Sequence, residues 1–401
     1  MFELILLSLL GISLLAWIGY FIITIWNFYQ LPRLTNTPLK QSENQLPFVS
    51  VIVPTRNEAY RIEKCIQSLK AQTYPRLEII IVDDSTDNTV EVIKSIVGDD
   101  PRFILIKEEK LPDGWIGKPH ALQQGSSLAK GDLLLFIDAD TFHDPSLIAH
   151  AVEYACEHNV DLLSLAPHNI CGSFWEKVIQ PIPLCVIPAI SPLSKVNKPE
   201  SKVVVAFGPF MLMKHSVFTQ VGGYETIKNR IADDAEMAKL VKSSGYKVNL
   251  ANAQTLMHIR MYENFSEIWE GWSKNIFLGL VQKRGINSKA QRLFVALVGS
   301  VIIFGIMDFP LWITIISLFL TLFTHSPQWQ QVLLFALVVW FVGIVLQFSI
   351  QKTYHIGDPK YASFAFLGGL IIIAIFLNSA IKTISGTGVT WKGRVYATKK
   401  S

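Results

Sequence analysis

The most constraining feature of the sequence is an apolar run, Leu133 to Ile137, that ends in Asp138-Ala139-Asp140. A short apolar run bounded by turn-type residues is typical of a strand buried on both faces of a sheet. Two carboxylates therefore stand where the chain leaves the sheet, at the edge where open α/β sheets bind ligands. Carboxylate oxygens suit Mg²⁺ or Mn²⁺, with a diphosphate completing the coordination shell. The alternative is an Asp-containing turn that caps the next helix.

Composition places part of the chain in a membrane. Half of the 401 residues are hydrophobic and 17% are charged, and the mean hydropathy is +0.34, a combination that is uncommon in soluble proteins. The net charge of +4 has no dense basic run behind it, so nucleic acid is not an expected partner. The four cysteines form no CxxC pair, and they fit reduced, mostly buried thiols.

Long apolar segments at both ends bracket a more polar middle. About 20 apolar residues cross a bilayer, so residues 1–30 predict a transmembrane anchor. The other predicted divisions are a linker (31–47), a globular catalytic domain (48–260), an amphipathic interface region (261–290), a transmembrane region of four spans (291–385) and a basic tail (386–401).

The block 293–324 is interrupted at Asp308-Phe309-Pro310. Both a two-span hairpin and a single span with a surface segment fit this block. We expect Asp308 to mark a turn at the membrane edge, with a role inside the membrane as the alternative. Basic residues in the linker and the tail predict that both lie in the cytosol. The sequence thus predicts an integral protein of the cell membrane, with its globular domain in the cytosol and an even number of spans after it.

Strand and helix signals alternate from residue 48 to residue 141. The expected strands are Phe48–Val53, Leu77–Val82, Phe103–Ile106 and the run from Leu133; the expected helices are 58–72, 89–97 and 118–129. This alternation predicts an α/β fold with a mostly parallel sheet and helices on both faces. Right-handed crossovers would bring the strand ends to one rim.

Two of these strands deliver polar groups to that rim. The first breaks at Pro54 just before Glu58, and the second runs into Asp83-Asp84. Such a rim can accept hydrogen bonds from a uracil imide and ribose hydroxyls, although capping of the following helices is the alternative. Lys118 opens a helix and suits a diphosphate. The spacing is not that of a P-loop, and no GxGxxG is present.

Six motifs in order resemble glycosyltransferase family 2, whose members have the GT-A fold and use nucleotide sugars. The resemblance covers residues 48–285. The motifs are Pro54…Asn57-Glu58, Asp83-Asp84, Gly117-Lys118, Asp138-Ala139-Asp140, Gly222-Gly223-Tyr224 and Ile231-Ala232-Asp233-Asp234. Four further stretches, 114–118, 260–262, 270–275 and 391–396, are similar to a membrane-anchored subgroup of the family. That subgroup includes diaponeurosporenoate glycosyltransferases of carotenoid synthesis and hopanoid-associated relatives.

The resemblance implies how the donor is bound. Pro54, Glu58 and Asp84 would contact the uridine, with Asp83 shaping the turn beside it. Lys118 would lie near the diphosphate or the uracil.

The resemblance also implies a metal, Mg²⁺ or Mn²⁺. Asp140 would bind it directly, and Asp138 would hold the ribose or a metal-bound water. His258 is the candidate for a third ligand, and an ordinary hydrogen-bonded histidine at a strand end is the alternative.

Asp234 matches the family's catalytic base. The family motif usually reads Glu-Asp, and Asp233 in its first position leaves the acceptor contacts open. The residues expected around the sugar or the acceptor are Gly208, Gly223, Asp233, Arg260 and Trp272. The two glycines could equally serve turns.

The expected function is transfer of a single sugar. The Gln-x-x-Arg-Trp motif of processive synthases is absent, and Gly271-Trp272-Ser273-Lys274 stands in the corresponding region. We expect an inverting, metal-dependent hexosyltransferase that moves one sugar, glucose as the first expectation, from a UDP-sugar to a membrane-embedded lipophilic acceptor. A carotenoid is the first candidate acceptor, and diacylglycerol or a hopanoid is the alternative. A transporter or export component with a degenerate nucleotide-sugar domain is a further alternative. Against it, we expect the spans to lack the buried charges or paired short broken helices that would mark a substrate path.

Overall fold

The structure is a computed structural model that describes residues 1–34, 46–278, 280, 286 and 288–396. The chain divides into two compact units. The helical unit comprises Met1–Tyr29, Cys171–Ile190 and Tyr262–Ser401, and the α/β unit comprises Gln30–Ile170 and Ser191–Met261. Most of the predicted linker and the end of the tail lie outside the described residues.

The α/β unit is built on two sheets. Its strands are β1 Val49–Thr55, β2 Leu77–Asp83, β3 Phe103–Lys107, β4 Leu133–Ile137, β5 Thr141–His143, β6 Leu162–Ala166, β7 His168–Asn169, β8 Phe210–Lys214, β9 Val248–Asn252 and β10 Met257–Ile259. Among the described residues, seven strands form the main sheet in the order β3-β2-β1-β4-β8-β6-β9, and three form a small sheet in the order β5-β10-β7.

The main sheet is mostly parallel. Only β8 runs antiparallel, to β4 on one side and to β6 on the other, in the described part of the sheet. The helices of this unit are Ile62–Lys70, Thr89–Val97, Gly117–Leu128, Leu147–Glu157, His215–Gln220 and Asp233–Ser243. The predicted fold class is confirmed, and each predicted helix and strand up to β4 is present within a few residues of its expected bounds.

β4 is buried on both faces, as its apolar run predicts. Leu133, Leu135 and Ile137 pack into one hydrophobic cluster, while Leu134 and Phe136 pack into the cluster on the opposite face. Since alternate side chains point to opposite faces, helices must cover both sides of this strand. The burial fixes the register of β4 and therefore where its terminal carboxylates stand.

The helical unit holds the long apolar segments. Its helices are Phe2–Tyr29, Phe174–Ile179, Pro181–Ile190, Phe265–Ser273, Lys289–Ile303, Phe309–Thr324, Pro327–Tyr354 and Ala365–Ser385, with a hairpin of Val389–Trp391 and Arg394–Tyr396. Four helical segments in the described ranges are long and apolar enough to cross a membrane: Phe2–Tyr29, Lys289–Thr324, Pro327–Tyr354 and Pro359–Ser385. Three of these follow the α/β unit. Whether the chain crosses the membrane four times after that unit stays a prediction.

The expected turn at Asp308 is wrong, because the chain continues there as a helix. A π-helical turn, Phe304–Asp308, joins the helices on either side, and Asp308 is fully buried. Pro310 has no N–H to give to the carbonyls four and five residues before it. Ser13 Oγ donates to the carbonyl of Gly305 (2.9 Å), and Trp17 Nε1 donates to that of Ile306 (2.7 Å). The N-terminal helix thus supplies the donors that Pro310 lacks, and the helix persists.

We expect Trp17→Phe to lower the thermal unfolding midpoint of the full chain in detergent. The change leaves the carbonyl of Ile306 unpaired in apolar surroundings, at a cost of about 0.5–2 kcal/mol. Trp26, on the same helix and 64% exposed, is the matched control, and Trp26→Phe should leave the midpoint unchanged. Equal midpoints for the two variants would contradict this account of the helix.

Candidate active site

A cluster of four charged side chains lies beyond the carboxyl end of β4. Lys118 Nζ is 2.6 Å from Asp138 Oδ1 and 3.7 Å from Asp233 Oδ2. Burial acts to lower the pKa of Lys118, but Asp138 and Asp233 outweigh it and raise that pKa well above its usual value. The ammonium therefore stays charged, and it holds together two carboxylates that would otherwise repel each other.

Asp234 completes the cluster from the first turn of the helix Asp233–Ser243. Its Oδ2 accepts a hydrogen bond from the backbone N–H of Gly208 (2.9 Å), and its Oδ1 accepts one from Ala235 (2.7 Å). Burial is the largest influence on the pKa of Asp234 and raises it, against the opposing effect of Lys118 and the backbone N–H groups. A carboxylate with a raised pKa is better matched to accept a proton near neutral pH.

Gly208, which the sequence predicts to line the sugar or acceptor pocket, lies beside Lys118 and Asp234. A Cβ there would stand 3.2 Å from Lys118 Nζ and 3.4 Å from Asp234 Oδ2. The first distance is tight and the second is an ordinary van der Waals contact, so a side chain here would crowd the Lys118 ammonium. The antiparallel entry of β8, which pairs Phe210 with Ile137, brings this glycine to the end of β4.

The two adjacent aspartates of the rim have different surroundings. Asp83 is buried, and its carboxylate accepts hydrogen bonds from Thr55 Oγ1 (2.7 Å), Ser85 N (3.0 Å) and Ser85 Oγ (2.7 Å). Asp84 is half-buried and forms an ion pair with Arg56. Asp83 therefore orders the turn after β2, while Asp84 faces partly to solvent at the rim.

The other predicted uridine contacts also lie at this rim. Pro54 is half-buried near the end of β1, beside Val82. Glu58 is buried and lies 3.2 Å from Arg61 Nε, and Arg61 also donates to the carbonyl of Met261 (2.9 Å). Sequence reasoning missed this arginine as a partner, although its i, i+3 spacing from Glu58 is a usable signal.

The predicted metal ligands Asp140 and His258 lie at the small sheet, Asp140 just before β5 and His258 within β10. The backbone N–H of Arg260 donates to the carbonyl of Asp140 (3.1 Å). The imidazole of His258 stacks on Phe142, with ring centroids 5.0 Å apart, and burial lowers its pKa. No three His, Cys, Asp or Glu side chains in the described ranges are grouped to hold a metal by themselves. His258 as a third ligand stays a prediction.

Two predicted pocket residues have other neighbours. Gly223 has a φ of +55°, and a Cβ there would lie 2.7 Å from Gln123 Oε1 and 2.8 Å from the Phe218 ring. Glycine at this position therefore serves a tightly packed turn, and its role in a sugar pocket stays a prediction. Trp272 belongs to the helical unit, where it is buried with its ring centroid 6.0 Å from that of Tyr262.

Residues 50–222 match the family model described as glycosyl transferase family 2. Two similar relatives are the 4,4'-diaponeurosporenoate glycosyltransferases of Staphylococcus haemolyticus (strain JCSC1435) and Staphylococcus aureus (strain USA300). The first is 27% identical over 265 residues, which cover 65% of this chain and 69% of that protein. The second is 26% identical over 234 residues, which cover 58% of this chain and 61% of that protein, less than two thirds of its length.

A solved structure of similar fold is that of a mannosyltransferase from Pyrobaculum calidifontis in complex with GDP-Man and Mn²⁺. It aligns over 94% of this chain and 98% of that protein with a TM-score of 0.51 and 19% sequence identity. At this level of identity the likeness concerns the fold, which is GT-A in both proteins.

Replacement of Asp83 should lower the stability of the protein more than replacement of its neighbour Asp84. Asp83→Ala leaves Thr55 and Ser85 without their buried acceptor, at an expected cost of about 1–3 kcal/mol, or several degrees in the thermal midpoint. Asp84→Ala removes a partly exposed ion pair, worth about 0–1 kcal/mol. A larger loss of stability for Asp84→Ala than for Asp83→Ala would contradict these assignments.

Proposed function

We propose, on the premise that residues 50–222 form a glycosyl transferase family 2 domain, that this protein moves one sugar from a UDP-sugar to a lipophilic acceptor. The observation that carries the proposal is the cluster of Lys118, Asp138, Asp233 and Asp234 at the strand ends. It combines a fixed cation for a leaving diphosphate with a carboxylate of raised pKa that can serve as a base.

Charge balance supports a divalent metal at this site. Lys118 already faces two carboxylates of the cluster, at 2.6 Å and 3.7 Å. A diphosphate brought to the same place adds negative charge to a partly buried site that already holds carboxylates, which is costly unless a cation comes with it. Mg²⁺ or Mn²⁺ bound through one or two carboxylates and the substrate's phosphates meets this need.

Asp140 and Asp138 are the residues that would hold this ion. Their i, i+2 spacing after β4 offers carboxylate oxygens, and the diphosphate would complete the coordination shell. The bound ion would offset the charge that develops on the leaving group. Lys118 adds a second, permanent charge for the same purpose.

Asp234 acts as the base when the acceptor is a hydroxyl. The acceptor oxygen attacks C1 of the sugar as the bond from C1 to the diphosphate oxygen breaks, and the hydroxyl proton passes to the carboxylate of Asp234. UDP leaves on the face opposite the attack, so the anomeric configuration inverts. The hydrogen bonds from Gly208 and Ala235 hold the carboxylate in place for this transfer.

The acceptor is expected to be a membrane lipid, with a carotenoid acid as the first candidate. The names of the staphylococcal relatives specify a carotenoid carboxylate, and the helical unit offers four helices of membrane-spanning length and composition. A carboxylate acceptor has no proton to lose at neutral pH. With such an acceptor, Asp234 would mainly position the attacking group.

Nucleotide binding by the purified full-length protein tests the donor half of the proposal. Calorimetry with UDP and GDP, with and without Mn²⁺, should show binding that favours UDP and that strengthens with the metal. Asp140→Ala should remove the gain from Mn²⁺, while Asp99→Ala, which changes an exposed carboxylate elsewhere, should retain it. Preference for GDP, or no effect of Mn²⁺ on the intact protein, would contradict the proposed donor or metal.

Asp234→Asn tests the base directly. The asparagine oxygen can still accept the hydrogen bond from Gly208, while its NH2 group cannot accept the one from Ala235, a loss of about 0.5–1.5 kcal/mol. The affinity of the folded variant for UDP is therefore measured alongside and should be retained. Transfer to a hydroxyl acceptor should fall by about 100-fold or more, within the range for lost general-base catalysis. Glu236→Gln, on the same helical turn, is the matched control and should stay active. Unchanged turnover in Asp234→Asn would remove this residue from the chemistry.

A further inference from the structure

A buried acid–imidazole pair, Glu108 and His120, lies near the proposed donor site. His120 Nδ1 is 2.8 Å from Glu108 Oε1, and the two side chains are only 9% and 3% exposed. Since a carboxylate can only accept hydrogen bonds, the Nδ1 of the imidazole carries the hydrogen between them. Neither residue has a role in the sugar transfer proposed above.

The pair holds the helical turn that carries Lys118. His120 lies on the first turn of the helix Gly117–Leu128, two residues after the lysine, and no side chain in the described residues caps this helix at Ile116. Instead, the backbone N–H of Ile116 donates to the carbonyl of Lys228 (2.8 Å), and the imidazole bonds to Glu108. The turn is therefore fixed on both sides.

The same pair connects this turn to the nucleotide rim. Glu108 directly follows β3, and its backbone N–H donates to the carbonyl of Asp83 (2.8 Å). A second bond, from the N–H of Glu109 to Gln124 Oε1 (3.1 Å), ties the same loop to the same helix. The loop after β3 thus lies between the turn that Asp83 orders and the turn that carries Lys118.

Stability alone is a poor explanation for such a pair. Removing a carboxylate and an imidazole from water costs free energy, and well-packed apolar residues often serve a core equally well. A directional hydrogen bond does fix the orientation of the turn, which apolar packing specifies less sharply. The pair is placed where orientation matters, because the Lys118 ammonium must reach its partners within hydrogen-bonding distance.

We propose that His120 is a positioning residue for donor binding, which acts with Glu108 to hold Lys118 in place for the diphosphate. This inference rests on the proposed function and deepens it. His120 acts through Lys118 rather than by its own contact with the substrate. Loss of the imidazole should therefore resemble, in part, loss of the lysine.

A double-mutant cycle on the full-length protein, with UDP affinity measured by calorimetry, tests this inference. His120→Leu should weaken UDP binding about tenfold, an effect of about 1.4 kcal/mol. The double variant with Lys118→Met should bind UDP no more weakly than Lys118→Met alone. Both changes act on the same contact, that of the Lys118 ammonium with the diphosphate. His120→Gln, whose amide can still donate to Glu108, should recover most of the affinity.

Two further variants separate an effect on the position of Lys118 from an effect on folding. His215 bonds to the carbonyl of Gly131 (2.9 Å) near the amino end of β4, and His215→Leu should leave UDP affinity unchanged. If His120→Leu does not fold, Glu108→Gln provides the comparison, since it keeps the shape of the pair and removes its charge.

Two results would overturn the inference about His120 alone. One is UDP affinity within twofold of the intact protein in a folded His120→Leu variant. The other is a double variant whose loss equals the product of the two single losses. If the intact protein binds no UDP, the proposed function fails and this inference fails with it.

Discussion

The site depends on one interaction, the contact of the Lys118 ammonium with the carboxylates of Asp138 and Asp233. These acidic groups come from a strand end and a helix start, and the fold brings them together in a partly buried place. Without the lysine their mutual repulsion would oppose that arrangement. With it the two carboxylates can lie close together, and a diphosphate bound beside them would add negative charge that a metal ion could offset. The charge pattern thus accounts for both the lysine and the proposed metal.

The sheet explains why these groups meet. Burial on both faces fixes the register of β4, and the antiparallel β8 returns beside it so that Gly208 reaches the end of β4. The absent side chain at Gly208 leaves space beside the Lys118 ammonium, and the backbone N–H of Gly208 donates to the Asp234 carboxylate. A buried hydrogen-bonded pair, Glu108 and His120, orients the turn from which the lysine extends. The geometry of the site therefore comes from backbone register and buried polar contacts as much as from the charged residues themselves.

The sequence predicts what is encoded locally. Apolar runs followed by polar residues located β1, β2 and β4 together with the side chains at their ends, because burial and strand termination are both short-range signals. The place of β8 depends on pairing with strands far away in sequence, and no local pattern specified it. The same holds for Glu108 and His120, whose contact arises from how the loop after β3 meets a helix.

The segment around Asp308 is a second place where a contact distant in sequence determines the local structure. Asp308-Phe309-Pro310 is typical of a turn when considered alone. The helix continues because Ser13 and Trp17, nearly 300 residues earlier, donate to carbonyls that Pro310 leaves unpaired. A tertiary contact has replaced the missing backbone donor, which no reading of neighbouring residues would reveal.

The most direct test of the central claim is whether the protein transfers sugar to lipid. Membranes that contain the intact protein or Asp140→Ala would receive radiolabelled UDP-glucose with Mg²⁺ or Mn²⁺, and the lipids would be extracted into organic solvent. We expect label in the organic phase only with the intact protein and metal, and analysis of the labelled product would identify the acceptor. No label in the organic phase with any of several UDP-sugars and lipid extracts would contradict the account.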